Sequence, residues 1–127
     1  MRAVRTDAAP APIGPYSQAI AVGDLLFCSG MIGLVPTTGQ LASAEVGGQT
    51  TQVLTNITGL LAAEGLSWAD VVKTTIFLAD LNDFAAVNAL YAAQLSEPYP
   101  ARSTVEVSRL PRDCRVEIEV IARRPAR

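Results

Sequence analysis

Histidine is missing from this chain altogether, and only two cysteines and one lysine are present. Without histidine, the familiar zinc sites and the Ser-His and Cys-His nucleophile pairs are excluded. Cys28 and Cys114 have no second ligand at metal spacing and read as small buried hydrophobes. Aromatics make up 6% of the chain, too few for a base-stacking surface. The stretch Met1 to Pro15 is rich in Ala and Pro and holds no continuous apolar segment of the kind a secretory signal needs. The longest apolar stretch, Leu25 to Val35, is interrupted by Ser29, Gly30 and Gly33, well short of the roughly 20 residues that span a bilayer. A cytoplasmic location without membrane attachment is the expectation.

Half of the residues are hydrophobic, mostly Leu, Val, Ile and Ala, so the core is expected to be aliphatic. At 127 residues the chain fits one domain, 1–127, and can bury roughly two-thirds of its unfolded surface. Ten basic residues against twelve acidic ones leave a net charge of −2, and the positive charge is nearly all Arg. The Arg residues between Arg109 and Arg127 read as a solvated strand end and tail. They do not form the dense stripe that tracks phosphates, so no nucleic-acid partner is expected.

The hydrophobic period changes along the chain. Ala19 to Val35 reads as two extended pieces broken at Gly23-Asp24, a turn dipeptide. From about Glu45, the residues Val46, Val53, Ile57, Leu60 and Leu61 share a helical face, and Gly65 is placed to end the helix. Asn56-Ile57-Thr58 matches a glycosylation acceptor but lies mid-helix and is discounted. Ser67-Trp68-Ala69-Asp70 has capping-box spacing, and Val71 to Ala79 is rich in β-formers. Asn82 or Asp83 can cap a second helix with Phe84, Val87, Leu90, Tyr91 and Leu95 on its apolar face. Strands Ala101 to Val107 and Arg115 to Ala122 follow. The order β-β-α-β-α-β-β predicts an α/β (α+β) fold, a mixed β-sheet with two helices packed on one face. The strands are too apolar for the other face to stay wet, so oligomerisation through the sheet is expected.

The last two strands alternate. Arg102, Thr104 and Glu106 share one face, opposite Val105 and Val107, while Glu117 and Glu119 lie opposite Val116, Ile118 and Val120. An Arg held at a strand start behind Pro100-Ala101 can take a planar carboxylate bidentately, or it can pair with a neighbouring Glu. Acid–base chemistry without histidine falls to other groups, and Glu117 among aliphatic neighbours is the carboxylate best placed for desolvation. The alternative is that Glu117 and Glu119 form the wet face of an edge strand. Tyr16, just after Gly14-Pro15, either plugs a core edge or touches a ligand. Gly30, at the end of an apolar strand, allows close approach of backbone to a ligand.

Three segments together resemble the reactive-intermediate deaminase family, the YjgF/UK-type proteins. They are Ile13-Gly14-Pro15-Tyr16-Ser17-Gln18-Ala19, then Lys73 to Leu78 with Asp80-Leu81-Asn82-Asp83-Phe84, then Pro100-Ala101-Arg102-Ser103-Thr104-Val105 continuing through Leu110 to Val116-Glu117-Ile118. The resemblance runs from about Ala8 to Arg123. It implies a chorismate-mutase-like fold and a homotrimer with clefts between adjacent subunits. The implied activity is hydrolysis of 2-aminoacrylate and similar enamines or imines to 2-keto acids and ammonia, with no cofactor and no metal. By position, Arg102 would bind the substrate carboxylate, helped by the backbone N–H of Thr104. Glu117 would activate water and manage protons, Tyr16 would line the pocket, and Gly30 would offer backbone near the substrate nitrogen.

The chain departs from the family pattern at Thr104, where many members carry Cys. The segment Leu95 to Tyr99 is shorter, and Met31 stands where a polar residue is common. Two other functions compete with the deaminase reading. One is a non-catalytic trimer that binds small carboxylates or acts as a regulator, since fold does not settle function. The other, an RNA-directed role, has little support from the charge and aromatic content.

Overall fold

The computed structural model describes residues 1–125. Its strands are β1 (Arg2–Val4), β2 (Ala19–Val22), β3 (Leu25–Cys28), β4 (Val71–Leu78), β5 (Ala101–Glu106) and β6 (Val116–Arg123). Its helices are α1 (Val46–Ala62) and α2 (Phe84–Ala92). The strands form one sheet in the order β1-β2-β3-β6-β4-β5. Only β4 and β5 run parallel; every other neighbouring pair is antiparallel. This is the mixed sheet with two helices that the period changes predict.

Alternation along β6 decides the layering. Val116, Ile118, Val120 and Ala122 are fully buried beneath α1, in one cluster with Val53, Ile57, Leu60 and Leu61. The intervening Glu117, Glu119, Ile121 and Arg123 therefore stand on the sheet face that no helix covers. The same face carries Phe27 of β3 and Val105 of β5, exposed at 42% and 43%. This face is therefore partly apolar and open in one chain.

Local signals explain the element ends. Gly23 has φ +58° at the first position of the two-residue turn between Val22 and Leu25, as a primed hairpin turn with glycine first requires. α1 closes on Gly65 at φ +69°, with Gly65 N–H bonded to Ala62 O and Leu66 N–H to Leu61 O. Those two bonds make a Schellman motif. Ser67 and Asp70 form the reciprocal capping box over a short 3-10 turn leading into β4.

Three features differ from expectation. β1 was not anticipated, because three residues are too few to show a period; β1 exists by pairing with β2. α2 is not capped by the Asn82 or Asp83 side chain. Asp80 instead accepts from Asn82 N–H over a 3-10 turn, and Asp83 is used in an ion pair with Arg115 at 2.8 Å. On α2 only Val87 and Tyr91 are buried, since the helix lies over the margin of the sheet beside β5.

Cys28 and Cys114 are free and buried, as expected, and burial pushes the Cys28 thiol up to about 12. Arg109, Arg115, Arg123 and Arg124 pair with Asp113, Asp83, Asp24 and Glu64. That pairing accounts for most of the Arg-rich tail, and Arg127 lies outside the described residues. No helix among the described residues is long and apolar enough to cross a membrane.

Candidate functional site

Glu117 borders a cavity of about 640 Å³ on the open side of the sheet, with Tyr16, Gly30, Met31, Pro111 and Arg112 among its walls. Met31 and Ile118 exchange backbone hydrogen bonds of 2.8 and 3.0 Å, which clamp the chain after β3 against β6. That clamp sets Gly30 directly over the Glu117 carboxylate. A β-carbon at position 30 would stand 2.0 Å from Glu117 Oε2, so only glycine leaves the carboxylate where it is.

The Tyr16 wall is built from the N-terminal side. Gln18 is buried, and its side chain bonds the backbone of Thr6, Ala9 and Pro10, donating to all three carbonyls and accepting from Thr6 N–H. Ser29 Oγ donates to Ser17 O at 2.6 Å. These bonds tie Tyr16 to the strand end that carries Gly30. Tyr16 is 52% exposed, and its phenol oxygen accepts from Ile13 N–H, so the ring lines the cavity instead of plugging the core.

No donor among the described residues reaches the half-buried Glu117 carboxylate. Burial raises its pKa above the ordinary 4.5, and the charge of neighbouring Glu119 adds to the rise. A carboxylate with a raised pKa is a stronger base than an ordinary one. The cavity contains a residue the sequence did not single out: Arg112 sits in the left-handed region at φ +60° and donates to Gly39 O. Nothing in its local sequence announces that conformation.

Arg102 lies elsewhere. In the parallel register Thr74 pairs with Arg102, Ile76 with Thr104 and Leu78 with Glu106. Paired residues point to the same side, so Arg102, Thr104 and Glu106 face the helices and Val105 faces outward. Arg102 Nη1 donates to Asn88 Oδ1 at 2.6 Å, and its guanidinium carbon stands 5.4 Å from the Phe84 ring centre and 5.2 Å from that of Tyr91. No carboxylate among the described residues pairs with it; Glu106 accepts instead from Leu81 N–H.

Thr104 is half-buried, and its hydroxyl has no partner. Val107 N–H bonds Leu78 O, and N–H direction alternates along a strand, so the Thr104 N–H points off the free edge of the sheet. One chain thus brings Tyr16, Gly30 and Glu117 together and keeps Arg102 and Thr104 apart from them on the other face. Among the described residues, no group of His, Cys, Asp or Glu is arranged to hold a metal ion.

The family model described as Endoribonuclease L-PSP matches residues 6–124. The chain belongs to this family. The matched span of this L-PSP family chain includes Tyr16, Gly30, Arg102, Thr104 and Glu117. Among its relatives, an Escherichia coli K12 protein named 2-iminobutanoate/2-iminopropanoate deaminase is 48% identical over 124 residues, 95% of this chain and 96% of that one. The Arabidopsis thaliana protein named Reactive Intermediate Deaminase A, chloroplastic, is 52% identical over 119 residues, 94% of this chain and 64% of that one. Among solved structures, E. coli TdcF with bound serine superposes with a TM-score of 0.92 at 42% identity, covering 98% of this chain and 100% of that one. The fold and family therefore agree with the resemblance seen in the three sequence segments.

Proposed function

We propose that this protein is a cytoplasmic hydrolase that converts 2-aminoacrylate and related enamines or imines to 2-keto acids and ammonia. In this reading it works as a homotrimer without a cofactor, with each site shared between adjacent copies. The names of the relatives support the reaction class. The observation that carries the composite site is the placement of Arg102 and Glu117 on opposite faces of one sheet.

Laying the free β5 edge of one copy along the open face of another closes the gap. The first copy offers the Arg102 guanidinium and the Thr104 N–H, two donors suited to one carboxylate. The second offers a cavity holding Glu117 and the chain around Gly30. Contact would also cover Phe27 and Val105.

The chemistry then needs no metal. The enamine takes a proton at its terminal carbon and gives one up from nitrogen, which makes the imine. Glu117 as carboxylate removes a proton from water as the oxygen bonds the imine carbon, and the nitrogen is protonated in turn. The resulting carbinolamine collapses: the hydroxyl proton passes by way of Glu117 to the amino nitrogen, C–N breaks, C=O forms and ammonia leaves. Fixing the carboxylate and the water supplies the orientation that free solution lacks.

The test is ammonia and pyruvate release from 2-aminoacrylate generated in situ, comparing wild type with Arg102→Ala. Acceleration by wild type that vanishes in the variant supports the reading. Binding of 2-oxobutanoate with no acceleration would favour the carboxylate-binding alternative.

A further inference from the structure

Phe84, Asn88 and Tyr91 occupy positions i, i+4 and i+7 of α2, one stripe of the helix, and all three meet the Arg102 guanidinium. The two rings stand within the distance at which an aromatic face attracts a cation, and the amide oxygen between them accepts from Nη1. The Tyr91 ring is itself held. Its hydroxyl shares a 2.8 Å hydrogen bond with the buried Thr74 hydroxyl on β4, and Trp68 meets it edge-on at 6.4 Å. Thr74 is also the residue that Arg102 pairs with in the sheet. The cradle is thus tied to both elements that flank Arg102.

All of these partners are neutral. A carboxylate partner would offset the charge of Arg102 toward a ligand. Here Asn88 fixes one nitrogen, while Nε and Nη2 have no partner among the described residues. Those two nitrogens form the side of the fork that can take a carboxylate bidentately.

We propose that Asn88, flanked by Phe84 and Tyr91, is a positioning residue that orients Arg102 for the substrate carboxylate while leaving its charge uncompensated. The proposal rests on Arg102 being the carboxylate anchor. Asn88 does not touch substrate; it acts through Arg102, so its signature belongs in binding and not in the chemical step.

The informative pair is Asn88→Ala, which removes the acceptor, and Asn88→Asp, which keeps the shape and neutralises the guanidinium. Both substitutions are expected to fold, since the site is half-exposed and Ala also raises helix propensity. The readouts are KM and kcat for imine turnover, and the Kd for 2-oxobutanoate by calorimetry. Each substitution is expected to raise KM and Kd about tenfold, the scale of one charge-assisted hydrogen bond, with kcat within roughly twofold. Wild-type Kd in Asn88→Asp, or a fall in kcat with KM unchanged, would overturn the proposal. Arg102→Ala separates the two layers. If it still turns over, the anchor reading itself fails. If it is inactive while both Asn88 variants bind like wild type, the anchor stands and only the role of Asn88 is lost.

Discussion

Gly30 and Glu117 meet so closely that a β-carbon on the first would stand 2.0 Å from Oε2 of the second and 2.9 Å from its Cδ. The contact falls on the mobile end of a side chain, not on backbone. Gly30→Ala is therefore expected to fold and assemble normally while turning the Glu117 carboxylate away from the cleft. Turnover should drop by about a hundredfold, the usual consequence of a displacement near 1 Å at a catalytic group. Wild-type rates in a folded Gly30→Ala protein would show that the carboxylate need not hold its place.

The raised pKa of Glu117 makes a prediction about stability. A carboxyl with a higher pKa in the folded state binds its proton more tightly there than in the unfolded chain. The wild-type protein loses that favourable linkage as pH rises through the folded pKa, and it keeps the linkage in full below the ordinary value of 4.5. Glu117→Gln is accordingly expected to be more stable than wild type at pH 8, and the difference should vanish below about pH 4. Thermal unfolding of both proteins across that range checks the sign. A substitution that destabilises at pH 8 would mean the carboxylate is held by favourable contacts.

Val105 tests the composite site. It lies on the edge strand, faces away from the helices and is 43% exposed in one chain. Val105→Lys is expected to leave the monomer folded but disperse the assembly, with turnover lost because Arg102 and Glu117 no longer meet. Sedimentation together with the ammonia assay decides it. Full activity in a dispersed protein would refute a shared site.

Thr104 separates hydroxyl from backbone. Its Oγ1 is buried without a partner, an arrangement that costs on the order of 1–3 kcal/mol. The isosteric Thr104→Val is expected to stabilise the fold by up to about 1 kcal/mol and to leave kcat/KM unchanged, since the N–H off the sheet edge survives. A large loss of activity would show that the hydroxyl has work in the assembled site.

Much of this molecule was legible in its pattern. The strict alternation of Val116 to Val120 predicted a strand with Glu117 off the core, and the helical spacing of Val53, Ile57, Leu60 and Leu61 predicted the face that α1 buries. Both readings depend only on the periods of strand and helix, which act over a few residues. The family segments carried Tyr16, Gly30, Arg102, Thr104 and Glu117 as candidates for the same reason: each sits in a short local motif.

Tertiary structure decided which of those residues meet. Placing β6 between β3 and β4 set Gly30 on Glu117, and the parallel register of β4 and β5 turned Arg102 toward α2. It also sent Val105 outward, to the face opposite Arg102. Asn88 could have been noticed from its spacing with Phe84 and Tyr91, but nothing local says which strand that stripe will face. Local periodicity determines which side of its own element a residue occupies. Strand order and register depend instead on how the whole chain buries its apolar surface, and only the folded sheet decides whether two such sides face one another.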